Sequence, residues 1–183
     1  SYTENMFLIP FILVFALLIG FFLYKHYKVE IDRALILRKR KNELPLFKKE
    51  VSELSHLFNQ LNPSQLQQLF HTSLIFLYEK KWSSNLSFKE KCQESLKACL
   101  PLYRKKSNFY PQIKKIEKKR ELKQWLDLHE PQFAVEMGKD QLLKFKGEFS
   151  KYAEIFLREE GNRIKNEEKE KELFQLLERY FAP

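Results

Sequence analysis

The side chains that could hold a metal, carry a proton or act as a nucleophile are few and scattered. The four histidines are His26, His56, His71 and His129. His26 falls at the end of an apolar run, and His56 and His71 fall on neighbouring predicted helices where they could face each other. His129 precedes Glu130-Pro131 and reads as a helix end, where an imidazolium suits the negative pole of the helix dipole. Each is expected to be a surface or hydrogen-bonded histidine. Cys92 and Cys99 are seven residues apart, about 10 Å along a helix, which is beyond disulfide reach within one helix. They are expected to be half-buried free thiols, since a metal site would need further ligands nearby. The adjacent acids Glu159-Glu160 and Glu167-Glu168 belong to charge-dense helical stretches and read as solvated. The sequence carries no glycine-rich phosphate loop, no GxSxG elbow and no HExxH pair. The expectation is a non-enzymatic protein with no cofactor and no metal.

Basic residues carry more information. The chain has a net charge of +9, and two zones hold the excess. Residues 25–49 contain nine Lys/Arg against three acids, and residues 104–123 contain nine against two. In the second zone Pro111 is placed to start a helix that runs to about Leu128. Ile113, Ile116, Leu122, Trp125 and Leu126 would be its apolar set. Lys115, Lys119 and Lys123 would then share a stripe at i, i+4 and i+8, with Lys114 and Lys118 beside it. Such a basic face suits anionic lipid headgroups, an acidic protein surface or nucleic acid. Nucleic acid would want exposed aromatics among the lysines. Phe109, Tyr110 and Trp125 only bracket the stripe, so nucleic acid is disfavoured.

Behind both zones stands an apolar run that must position them. Met6 to Tyr24 is nineteen residues without a charge. At 1.5 Å rise these span about 28 Å, close to the ~30 Å hydrocarbon core of a bilayer. An all-round apolar helix suits lipid, and Pro10 lies close enough to the start to be tolerated. Tyr24 and Tyr27 sit where an interfacial aromatic belt would lie. Beyond them come Lys25, Lys28, Arg38, Lys39, Arg40 and Lys41, whereas residues 1–5 hold only Glu4 as a charge. By the positive-inside rule, residues 1–5 form a short external tail, 6–24 the transmembrane helix, and 25–45 a basic juxtamembrane stalk helix. Residues 46–183 form a cytoplasmic-side helical domain. The expected location is the inner (cytoplasmic) membrane, N-terminus outside, with a mitochondrial inner membrane and matrix domain as the alternative. The missing basic n-region and the bulky residues after the run argue for an uncleaved anchor.

The rest reads as helical. Four glycines in 183 residues disfavour a turn-rich β architecture. Phe47, Val51, Leu54, Phe58 and Leu61 follow the spacing of one helix face. Asn62-Pro63 ends that helix and caps the next, which runs to about Lys81, so the two form a hairpin. Ser87 and Glu90 fit a capping box before a helix whose face is Phe88, Cys92, Leu96, Cys99 and Leu100. Pro131 breaks the chain, and Phe133 to Met137 is a short irregular piece. Asp140 caps a helix that continues to Gly161, and a last helix covers about 163–181. The fold class expected is all-α: one transmembrane helix, then a compact bundle of about five to six amphipathic helices.

Seventeen phenylalanines exceed what one small core needs, which suggests apolar docking of partners. The functional expectation is therefore a single-pass, membrane-anchored subunit, scaffold or assembly factor of a membrane protein complex, with the bilayer and other protein subunits as partners. The alternative is a tethered adaptor that uses helix 111–128 to bind anionic lipid, an acidic partner or nucleic acid. This plan is common to many unrelated families, and no motif selects among them.

Overall fold

The computed structural model describes residues 2–105, 110–158 and 168–182. Gly161 as a helix stop, residues 163–167 of the expected last helix, Phe109 and the Glu159-Glu160 pair lie outside the described residues. The chain divides into two compact units, Ser1–Lys39 and Arg40–Pro183.

The first unit is a single helix, α1 (Tyr2–Arg40), with Pro10 inside it. From Ile12 to Leu23 its described apolar side chains are all exposed. Leu17 is 72% exposed and Phe22 71%. Among the described residues one helical stretch, Ile12–Glu50, is long and apolar enough to cross a membrane, and none of its apolar window is buried.

The second unit is a bundle of short helices. After a 3-10 turn at Lys41–Glu43 comes α2 (Leu44–Glu50), which takes Pro45 into its first turn, where proline is tolerated. The single helix expected over 46–61 is instead α2 followed by a kinked 3-10 segment, Ser52–Leu57, with Leu54 at φ −94°, ψ 15°. Of the expected face, Phe47, Val51, Phe58 and Leu61 turn inward, while Leu54 at the kink is only half-buried and Leu57 is buried instead. α3 (Pro63–Glu79) opens with a capping box in which Asn62 accepts from the Gln65 N–H at 2.9 Å and Gln65 accepts from the Asn62 N–H at 3.0 Å. α4 (Phe88–Cys99) opens with the corresponding box from Ser87 and Glu90. Its buried face contains Cys92, Leu96, Cys99 and Leu100, but Phe88 stays 38% exposed. The thiols form no disulfide with each other and are fully buried rather than half-buried.

The helix expected over 111–128 is absent. Residues 110–121 run as turns and bends around a two-residue strand, β2 (Lys115–Ile116), which pairs in parallel with β1 (Lys81–Trp82). Only α5 (Leu122–Asp127) is helical. The 133–137 stretch expected to be irregular belongs to α6 (Glu130–Met137), with Pro131 in its first turn. The helix expected from Asp140 is two helices, α7 (Lys139–Leu143) and α8 (Phe149–Arg158). The chain turns between them through Lys146 (φ 50°) and Gly147 (φ 78°), and the left-handed backbone at Gly147 is where a missing Cβ is useful. α9 (Glu168–Phe181) buries Leu173, Leu176, Leu177, Tyr180 and Phe181.

Aromatic rings dominate this core. Phe133 packs against Phe145, Phe149 and Tyr180 with ring centres 5.0–5.4 Å apart. Trp125, fully buried, meets Phe76 at 5.9 Å and Tyr110 at 5.0 Å. Eight of the phenylalanines are buried in this unit (Phe47, Phe58, Phe70, Phe76, Phe133, Phe145, Phe149 and Phe181), and five more belong to α1. Burial in this unit thus accounts for eight of the seventeen and α1 for five.

Candidate functional site

The basic residues fall into two groups. Tyr24, Lys25, Tyr27, Lys28, Arg38 and Lys39 are all exposed on α1. Arg40 and Lys41 are exposed at the start of the second unit. Arg40 is committed: its guanidinium lies over the Tyr78 ring at 4.4 Å and pairs with Glu43 at 2.7 Å, and the Tyr78 hydroxyl donates to the same carboxylate.

Lys114, Lys115, Lys118, Lys119 and Lys123 are also all exposed, but no helical stripe joins them. Lys115 pairs with Glu117 at 3.2 Å, and Lys119 with Glu90 at 2.8 Å. The Lys119 partnership and the Ser87 hydrogen bonds hold the Glu90 carboxyl down at about 2. Lys123 lines an open cleft of about 490 Å³ with Lys97, His56, Glu121, Glu154 and Arg158. His56 lines that cleft, while His71 is half-buried on α3 with its pKa lowered by burial and by Lys41 and Lys48.

What shapes the basic segment is a buried carboxylate that spacing could not reveal. Glu94 is 1% exposed on α4. Its Oε2 accepts from the Arg120 backbone N–H at 3.0 Å and from the Trp125 indole N–H at 3.2 Å. Its Oε1 pairs with the Lys97 ammonium, which also donates to the Arg120 carbonyl. Arg120 lies over the Trp125 ring at 4.9 Å. A helix would need the Arg120 N–H and carbonyl for its own ladder. Here α4 takes both, so the segment stays irregular. Ile116, fully buried, pins its middle, and its carbonyl accepts from Ser83 N–H at 2.9 Å.

A second buried polar group surrounds His129, which caps the start of α6 and is 2% exposed. The Tyr110 hydroxyl donates to the Ala98 carbonyl at 2.9 Å, so its oxygen receives the His129 Nε2–H at 2.8 Å. His129 Nδ1 then accepts from the Tyr180 hydroxyl at 3.0 Å. This assignment of the neutral tautomer follows from the hydrogen-bond network. Burial, with Lys105 adding repulsion, pushes the His129 pKa down to about 3. Lys105 lies 3.5 Å from the Tyr180 ring centre and pairs with Glu136 at 3.1 Å; burial lowers its pKa. Burial raises the pKa of both tyrosines. The chain of bonds ties α4, α6 and α9 together. Local spacing carries no signal for this network, because its members come from residues 98, 110, 129 and 180.

Among the described residues, no three His, Cys, Asp or Glu side chains are placed to hold a metal ion. No protein-family model matches the chain, and no curated protein or solved structure matches it either.

Proposed function

We propose that this chain is a non-enzymatic, single-pass membrane-anchored subunit or assembly factor of a membrane protein complex, whose helical unit binds protein partners. The observation that carries the reading is α1: an apolar helix with its hydrophobic side chains exposed all round, followed by exposed Tyr24, Tyr27 and a run of cations. In water that surface would be a severe liability, whereas in lipid it is at home. A binding role fits better than catalysis because the buried polar groups, Glu94 and His129, are already engaged in hydrogen bonds that hold helices together. The charge asymmetry supports an N-terminus outside and a helical unit in the cytoplasm, or in a matrix if the membrane is mitochondrial.

The test is mild detergent extraction of the full chain from its native membrane, followed by sizing and identification of co-purifying chains. A stable assembly with other membrane subunits is expected, and a lone monomer would overturn the reading. A reporter fused after Pro183 is expected to be active on the inner side only.

A second reading, an electrostatic adaptor, draws on the lysines of 114–123. All five of the expected ones reach solvent. Nucleic acid fits less well than the sequence allowed, because Trp125 and Tyr110, which could have stacked on bases, are 0% and 5% exposed.

A further inference from the structure

We propose that the face of the β1–β2 ribbon carrying Lys81 and Lys115 docks an acidic segment of a protein partner. The proposal rests on the reading of this chain as a partner-binding protein and names the chemistry of that partner.

The ribbon pairs Lys81 with Lys115 and Trp82 with Ile116. Ile116 is fully buried and Trp82 half-buried, so by strand alternation the two lysines project together on the outer face. Neighbouring strands lie about 4.8 Å apart, and like charges set opposite each other oppose folding. Glu117 relieves Lys115 in part, at 3.2 Å. Lys81 makes no ion pair among the described residues, and neither do exposed Lys114 and Lys118. Among the described residues only Glu117 offsets charge on this face, and a partner carboxylate set between Lys81 and Lys115 would offset it further.

The face is also held in place before any partner arrives. Lys81 N–H donates to the Lys114 carbonyl at 3.2 Å, Ser83 N–H to that of Ile116 at 2.9 Å, and the Lys80 ammonium to that of Tyr110 at 3.0 Å. Glu94 grips Arg120 from below. Lysines on such a braced segment lose little backbone freedom on binding.

The surroundings select protein over lipid. Glu117, with its side chain 71% exposed, stands beside Lys115. An anionic bilayer would repel it along with attracting the lysines, whereas a protein segment can set its carboxylates against the lysines one at a time. Mixed signs of this kind fix the register of a protein interface.

The test uses the full chain in nanodiscs of neutral phosphatidylcholine and a fluorescein-labelled glutamate-rich peptide, read by anisotropy. K81Q/K115Q is compared with K139Q/K171Q, which removes the same charge from exposed positions elsewhere. The ribbon variant is expected to bind about tenfold more weakly and the control within about twofold of the parent. Equal losses in the two variants, or no loss in the first, would overturn the proposal. Acetylation rates of Lys81 and Lys115 are read in parallel. Their slowing on adding phosphatidylserine to the discs, without peptide, would assign the face to lipid instead and likewise overturn it. Should the chain fail to enter the discs, the anchor reading falls, and the same peptide titration in detergent still decides the docking face.

Discussion

Replacing His129 with glutamine should flatten the acid side of the stability profile. In the folded chain His129 is buried and neutral, with its pKa near 3 against an ordinary value of 6.5. Between those two values the unfolded chain binds a proton that the folded chain does not, so stability rises with pH. The stabilisation is fully present above about pH 6.5, and its loss is complete once pH falls through about 3. Working the linkage through, moving from about pH 7.5 to about pH 5 should cost the parent about 2 kcal/mol from this one group. His129→Gln removes the titration. It also weakens the Tyr110 and Tyr180 hydrogen bonds, so the variant should start about 1–3 kcal/mol less stable at neutral pH. The discriminating quantity is therefore the change with pH, in which other titrating groups cancel between parent and variant. Urea unfolding of the full chain in mild detergent, followed by tryptophan fluorescence at both pH values, measures it. If parent and variant lose the same stability to within about 0.5 kcal/mol, the neutral buried imidazole and its network are refuted.

Other sites give equally direct expectations. Glu94→Ala strands the Arg120 N–H, the Trp125 indole and the Lys97 ammonium, and should destabilise the helical unit by about 3–5 kcal/mol in the same urea assay. A loss below about 1 kcal/mol would show that the carboxylate does not organise the 110–125 segment. Cys92 is buried, and burial, followed by the nearby Glu50 and Glu43, pushes its thiol up to about 12. It should resist iodoacetamide at neutral pH in the folded chain and react once urea unfolds it; rapid labelling of the folded chain at Cys92 would contradict its placement.

The parts of the fold legible in the sequence are those decided locally. Asn62-Pro63 with Gln65, and Ser87 with Glu90, announce helix starts through atoms within three residues of each other, and both boxes form. The apolar stripe of 173–181 needs only a surface to cover, and it buries in the core. The parts that escaped are decided at a distance. Lysines at i, i+4 and i+8 suggested a helix over 111–128, but Glu94, twenty-six residues before Arg120, takes the hydrogen bond that helix required. The break at 146–147 had a local signal in Gly147, outweighed by the continuous apolar spacing from Leu142 to Leu157. His129 was read from its neighbour Glu130, while its real partners come from residues 110 and 180. The five lysines of the 114–123 segment are all exposed, but the pairing of Lys81 with Lys115 needed the ribbon.

The central claim is that the apolar part of α1 lies in a bilayer. Alkaline carbonate extraction of membranes from cells making the full chain tests it most directly. The chain is expected to stay in the membrane pellet, as an integral protein does. Its release into the supernatant with peripheral proteins would show that α1 does not lie in the bilayer.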